Sequence, residues 1–432
     1  FIANPMIAFD ININQPVAPI SSRPTGISLE TGDMTFFPNP VLEQLLKNVS
    51  GTLRIGGSST DITCLPTDYS GPYCKIAMTQ SRVDAVVGAA TRINYPLSIG
   101  VNFLRFNSIV NQAKFLFNAG VKNIEVGNEP DLYESSGLRP AGYSMANYTD
   151  EYIPIAAAIR IAIPGIKITG PAVCCRFDAG SIKNFGITQD VQEISMHPYA
   201  TAWCDKTKPA PTAEALLSED RMKSFRARGY AALAAEIKPK KLRLNETNST
   251  ACGGSPGVSN SMAAALWGVD WGFEALQMGA DGLNFHNAGT LYNPILVDKV
   301  AGTATPNPLY YALLMLDRAK GQTLVSTAKT GIENVKVWAT KHSNGQLNVY
   351  VINKDMAFSG NIALNIPGKT AIAKVFTMGG AGINATSGIK FGTQSVSSTG
   401  TFNLVNDSTI VPNGSQYRVT VRNGGAAMLT IP

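Results

Sequence analysis

At 432 residues, with 44% hydrophobic and 15% charged side chains, the chain can bury a large core, and intrinsic disorder is excluded. Lys and Arg number 36 against 30 Asp and Glu, a net charge of +6 that is scattered and forms no basic stripe for nucleic acid. No apolar run approaches the roughly 18 residues of a bilayer-spanning helix, so no membrane association is expected.

The length predicts two domains. The opening segment, residues 4–20, is strand-like. Eight further strand patterns follow over residues 26–31, 52–58, 95–101, 123–128, 167–173, 191–199, 241–246 and 282–286. Helical patterns lie between several of them. Val41, Leu42, Leu45, Leu46 and Val49 form one apolar stripe, with Pro40 suited to a first helical turn. Residues 218–237 predict a longer helix, and residues 261–278 and 307–319 predict two more. Eight strands alternating with helices match a (β/α)8 barrel in size and order, placed at residues 21–320. An open doubly wound sheet is disfavoured, because residues 51–57 lack the G-x-G-x-x-G spacing. Helical periodicity then stops. Short strands are predicted over residues 335–339, 347–352, 362–366, 373–376, 417–421 and 427–431, with Asn344-Gly345 as a hairpin signal. They predict a C-terminal β-sandwich over residues 321–432, completed by residues 1–20.

Six cysteines and seven Asn-x-Ser/Thr tripeptides point to a secreted, extracellular glycoprotein. The chain does not open on Met and carries no leader pattern, so it is read as a mature form. N-linked glycans are expected on some of Asn48, Asn147, Asn384, Asn406 and Asn413, whereas Asn245 and Asn248 are expected to be bare. Cys64 and Cys74 close a short loop and are the expected disulfide. Adjacent Cys174 and Cys175 are not expected to bond each other, and their pairing with Cys204 and Cys252 is open. With no Cys-x-x-Cys pair, and His197, His286 and His342 the only histidines, neither a metal nor a cofactor is expected.

Two glutamates stand where a buried apolar run gives way to a polar loop. They are Glu129, in Asn123-Ile-Glu-Val-Gly-Asn-Glu-Pro130, and Glu246, in Lys241-Leu-Arg-Leu-Asn-Glu-Thr-Asn-Ser249. In a closed parallel barrel such strand ends converge on one mouth. A pair of carboxylates about 5–5.5 Å apart is what retaining glycoside hydrolysis uses. The pairing therefore predicts a glycoside hydrolase. Neighbours on a strand point to opposite faces, so presenting both Asn128 and Glu129 inward requires a local bulge or turn.

These residues resemble those of the retaining glycosidases built on (β/α)8 barrels, in which an Asn-Glu pair ends strand four and a Glu ends strand seven. More narrowly, the whole chain resembles glycoside hydrolase family 79, the β-glucuronidases and heparanase relatives. The supporting motifs are Gly26-Ile-Ser-Leu-Glu-Thr31, Leu53-Arg-Ile-Gly-Gly-Ser-Ser-Thr-Asp61, Val126-Gly-Asn-Glu-Pro130, Met196-His-Pro-Tyr199 and Leu244-Asn-Glu-Thr-Asn248. The resemblance implies an exo-acting β-glucuronidase that removes terminal β-D-glucuronic acid, with or without a 4-O-methyl group, from a glycan or glucuronide. It also implies Glu129 as acid/base, Glu246 as nucleophile, Asn128 at the sugar 2-hydroxyl, Tyr199 donating to Glu246, and Glu30 in the glucuronate region.

Arg54 is expected either to support the nucleophile's charge or to form a structural ion pair. His197 and His286 are expected to be hydrogen-bonded barrel histidines beside the cleft. No Arg clamp for the sugar carboxylate is evident in the motifs. Backbone N–H groups of the small-residue loop around Gly253, and the hydroxyl of Tyr292, are the expected holders. The open alternatives are an endo-β-glucuronidase of heparanase type, a neutral-sugar β-glycosidase of the same clan, and an inactive sugar-binding protein.

Overall fold

All eight predicted barrel strands form and close on themselves. The structure is a computed structural model that describes residues 7–331 and 334–432. The strands are Thr25–Glu30, Gly51–Gly56, Leu97–Val101, Asn123–Val126, Lys167–Val173, Glu193–Met196, Lys241–Ala251 and Gly282–His286. All are parallel, and the pairing of Phe285 with Ile27 shuts the barrel. A short segment, Tyr199–Ala202, continues the sixth strand past Pro198 and pairs with the seventh. Pro198 has no N–H to give a ladder, consistent with the break. Alternation divides the second strand: Leu53 and Ile55 join the hydrophobic core, while Arg54 bonds groups on other barrel strands.

The helix Pro40–Lys47 starts as predicted, with Pro40 in its first turn and Asn39 Oδ1 accepting the N–H groups of Val41 and Leu42. Helices Met262–Gln277 and Pro308–Asp317 also match their predictions. The long helix expected over residues 218–237 is instead two, Glu219–Arg226 and Tyr230–Glu236. Gly229, at φ 80°, turns the chain between them, so continuous apolar spacing concealed a break.

All six predicted C-terminal strands are present, and Thr323–Thr330, which the sequence reading did not pick out, adds another. Its second half is exposed and polar, so it carries little alternation. The N-terminal strand Ile7–Pro19 sits inside this sheet, antiparallel to Thr323–Thr330 and parallel to Gly360–Asn365. The part of the predicted opening strand at residues 4–6 lies outside the described residues. The sheet curls over its own core of Ile7, Phe9, Val337, Val349, Leu364, Val419 and Leu429. Asn344-Gly345 turns the expected hairpin between Val335–Lys341 and Leu347–Asn353, with Gly345 at φ 91°.

The sheet docks on the barrel through a buried polar lock. Asp270, on helix Met262–Gln277, pairs with Lys354 at 2.5 Å and accepts the Trp338 indole N–H at 2.9 Å. Asn48 belongs to the same seam: its Nδ2 donates to Tyr310 Oη and to the Gly400 carbonyl, which argues against a glycan on that nitrogen. Asn147, Asn384 and Asn413 are exposed, and Asn245 and Asn248 are buried. Cys64–Cys74 is bonded as expected. Contrary to expectation, Cys174 and Cys175 bond each other; the pairing left open is resolved as Cys204 with Cys252. Proximity explains the second pair: strand segment Tyr199–Ala202 runs beside Asn248–Ala251 and brings the two following loops together. Among the described residues no helix is long and apolar enough to cross a membrane.

Candidate active site

The fourth strand ends in the turn that its two polar residues required. Gly127 has φ 76°, and a Cβ there would lie 2.9 Å from Phe103 Cβ and from Tyr133 Oη. Glu129 follows in the left-handed region at φ 49°, ψ 55°, a conformation that costs a non-glycine residue free energy and persists only where the surroundings impose it. Its N–H is tied to the Ala172 carbonyl at 2.7 Å. The turn aims Glu129 into the cleft and buries Asn128 against Arg54.

Glu246 reaches the same cleft from the seventh strand. A carboxylate oxygen of Glu129, a ring nitrogen of His197 and a carboxylate oxygen of Glu246 all lie within 4.8 Å of one another. Glu246 is surrounded by donors and cations. Arg54 Nη1 donates to Oε2 at 2.7 Å, Tyr199 Oη donates to Oε1 at 2.9 Å, and His286 Nε2 stands 3.8 Å from Oε1. Burial disfavours its charge, but His286, His197 and Arg54 outweigh that and hold Glu246 well below the ordinary carboxylate range. Glu129 meets the opposite balance. Burial pushes its carboxyl above that range and the Glu246 charge adds to the push, against a weaker pull from His197 at 3.3 Å. One carboxyl is thus poised to keep a proton and its neighbour to lose one.

Arg54 organises the floor. Besides Glu246 it bonds Glu125 (Nε to Oε2, 2.6 Å), Ser28 Oγ (2.9 Å) and Asn128 Oδ1 (2.9 Å), so one guanidinium joins two barrel carboxylates. The paired glycines after it make room. A Cβ at Gly56 would come within 2.6 Å of Arg54 Cζ, and one at Gly57 would overlap the Glu30 carboxylate. Glu30 accepts the N–H of Ser58 and Ser59 and both hydroxyls, and lies 3.4 Å from His286 Nε2. Burial works against its charge, but these partners, His286 foremost, lower its pKa. His286 is itself raised: burial opposes protonation, and the charges of Glu246 and Glu30 more than compensate.

A cavity of about 890 Å³ opens over these groups, lined among others by Glu30, Glu129, His197, Tyr199, Glu246 and Tyr292. Tyr292 stands beside Tyr199, ring centroids 6.0 Å apart. Gly253 does not line the cavity; Ala251 and Cys252 do. Two of the loop's amides are used internally, Gly254 N–H on the Thr250 carbonyl and Ser255 N–H on Ser259 Oγ. Both histidines are hydrogen-bonded and line the cavity, His197 to Glu129 at 3.3 Å and His286 to Ser28 at 3.1 Å. Sequence reading missed Glu125, whose charge is buried in an apolar strand, and Asp131, which accepts the N–H groups of Cys174, Cys175 and Arg176 and so shapes the rim. The only local signal for either was an acid within or directly after a buried strand.

No family model matches the chain. It is 24% identical over 336 residues to the β-glucuronidase of Neurospora crassa and 25% identical over 323 residues to that of Aspergillus niger. Each match takes in 62% of this chain and 57% of the relative, so the chain spans little more than half the length of these curated relatives. Among solved structures, a 4-O-α-L-rhamnosyl-β-D-glucuronidase from Fusarium oxysporum, in complex with Rha-GlcA, superposes with a TM-score of 0.78 at 16% identity, covering 98% of this chain and 100% of that one. An α-L-arabinofuranosidase from Thermotoga maritima superposes with a TM-score of 0.70 at 15% identity, covering 98% and 99%. The superpositions show a shared fold, the barrel with its sandwich. The chain is similar to β-glucuronidases in the way its motifs resemble family 79.

Proposed function

We propose that the chain is a retaining exo-β-glucuronidase. The observation that carries the hydrolase reading is the meeting of Glu129 and Glu246 within 4.8 Å, with burial and charge pushing their proton affinities apart. That proximity favours the separation of about 5–5.5 Å used in direct attack on the anomeric carbon over the wider one of an inverting enzyme. In the first step Glu246 forms an ester to C1 while Glu129 gives its proton to the departing oxygen. In the second, Glu129 takes a proton from water, whose oxygen attacks C1 and frees Glu246.

The choice of glucuronic acid rests on the β-glucuronidase relatives and on the motifs. The polar lining is compatible with it. Glu30, held ionised, suits a sugar hydroxyl and would repel the sugar carboxylate. Tyr292, whose hydroxyl burial keeps protonated and which lines the cavity, is the proposed donor to that carboxylate. Asn128 has its Oδ1 taken by Arg54, leaving the amide NH2 for the 2-hydroxyl. Secretion is proposed on three disulfides and on exposed glycosylation tripeptides at Asn147, Asn384 and Asn413.

Side-by-side assay of a chromogenic β-glucuronide and the matching β-glucoside tests the sugar. The glucuronide is expected to be cleaved faster; preference for the glucoside would reject the assignment. The acid role has its own signature. Glu129→Ala is expected to lower kcat/KM for alkyl glucuronides by about 10²–10⁴-fold while largely sparing dinitrophenyl glucuronide, whose leaving group needs no proton. In the unmodified enzyme kcat/KM should fall as pH rises through the raised Glu129 pKa, and that alkaline limb should vanish in the variant. Equal loss on both substrates would contradict the role.

A further inference from the structure

We propose that Asp61, outside the cleft, is the positioning residue that holds the acid/base turn in its working shape. Its carboxylate is buried on the far side of the Gly127–Glu129 turn. Oδ2 accepts the Asn128 N–H at 3.1 Å and the Tyr133 hydroxyl at 2.6 Å, and Oδ1 accepts the Phe103 N–H at 2.9 Å. Asn128 directly precedes Glu129, whose left-handed backbone is imposed by its surroundings. The turn is therefore gripped from two sides, by Asp61 through Asn128 and by the Ala172 carbonyl through the Glu129 N–H.

The grip extends to the other carboxylate. The side chain of the same Asn128 accepts from Arg54, which in turn bonds Glu246. Fixing the Asn128 backbone thus fixes the register between proton donor and nucleophile. Asp61 lies 5% exposed, and its carboxylate faces three donors, two of them main-chain N–H groups outside the strand ladders. Burial raises its carboxyl to about 6, so the site meets a cost to keep it, consistent with use beyond packing. Gly127 and Tyr133 complete the device, since a Cβ at Gly127 would collide with the very hydroxyl that Asp61 holds.

This inference rests on the hydrolase reading and is tested apart from it. Asp61→Asn keeps the shape but turns an NH2 group toward one of its donors. It is expected to lower kcat/KM for an alkyl β-glucuronide by about 10–100-fold, the size of loss a misplacement near 1 Å brings. The dinitrophenyl glucuronide should lose several-fold less, because its leaving group needs no proton and only the Asn128–Arg54–Glu246 register is disturbed for it. Tyr133→Phe, which removes one donor and leaves the Asn128 bond, should show the same split at smaller size. Equal loss on both substrates, or none, in a folded Asp61→Asn protein would overturn the proposal; should that variant fail to fold, the same two outcomes in Tyr133→Phe decide it. Unmodified protein that cleaves neither glucuronide would instead sink the hydrolase reading.

Discussion

Glu246→Gln is expected to abolish turnover, on the order of 10⁴-fold or more in kcat/KM, because an amide cannot form the ester intermediate and the residues of such a site act as a unit. The surroundings make the loss hard to bypass. Arg54, His197 and His286 are arranged around an anion, and Tyr199 donates to it; in the variant they face a neutral amide with one accepting oxygen in place of two. The fold should survive, since Arg54 keeps Glu125 at 2.6 Å and Gln matches Glu in shape. The check is twofold. Steady-state rates on an activated glucuronide measure the loss. Mass spectrometry after treatment with a mechanism-based glucuronide inhibitor should find label on the peptide carrying Glu246 in the unmodified protein and none in the variant. Label on any other residue would remove Glu246 from the nucleophile's role.

The parts of this site that could be read from sequence were those announced by local pattern. Glu129 and Glu246 each close an apolar strand, and the need for a turn at Asn128-Glu129 follows from alternation alone; the positive φ at Gly127 and Glu129 meets it. Tyr199 was legible for the same reason, since it stands where the sixth strand ends. Glu125 was not. Within Ile124-Glu125-Val126 it reads as the polar half of an alternating strand, and only closure of the barrel shows that its face is interior and that Arg54, from two strands away, supplies its counter-charge. Asp61 follows a glycine-serine loop that reads as solvent-facing, yet its partners come from Phe103, Asn128 and Tyr133 on two other loops. In the Gly253 loop, composition did not announce that Gly254 and Ser255 turn their N–H groups to Thr250 and Ser259. Pattern finds strand ends, whereas pairings across a closed barrel depend on neighbours that no sequence window contains.

The buried guanidinium makes the second large prediction. Arg54 is 1% exposed and bonds Glu125, Glu246, Asn128 and Ser28 at once, which a planar five-donor fork can do and a point charge cannot. Arg54→Met should leave two buried carboxylates without their shared cation, a change that typically costs about 3–5 kcal/mol. Activity should fall on the order of 10²–10³-fold, as when one preorganised donor to a reacting centre is lost. The two effects have a common pH signature. Arg54 helps keep the folded-state pKa of Glu246 low, so Glu246 contributes stability above the ordinary carboxylate range that is lost as pH falls through its depressed value. Without Arg54 that value rises, so the acid limb of kcat/KM should move to higher pH. Arg54→Lys separates charge from geometry: it should recover part of the melting temperature while leaving most of the activity deficit, since an ammonium group cannot hold Asn128 and Glu246 in register together. A Lys variant with full activity would show that only the charge matters, and an unchanged acid limb in the Met variant would show that Arg54 does not set the nucleophile's ionisation.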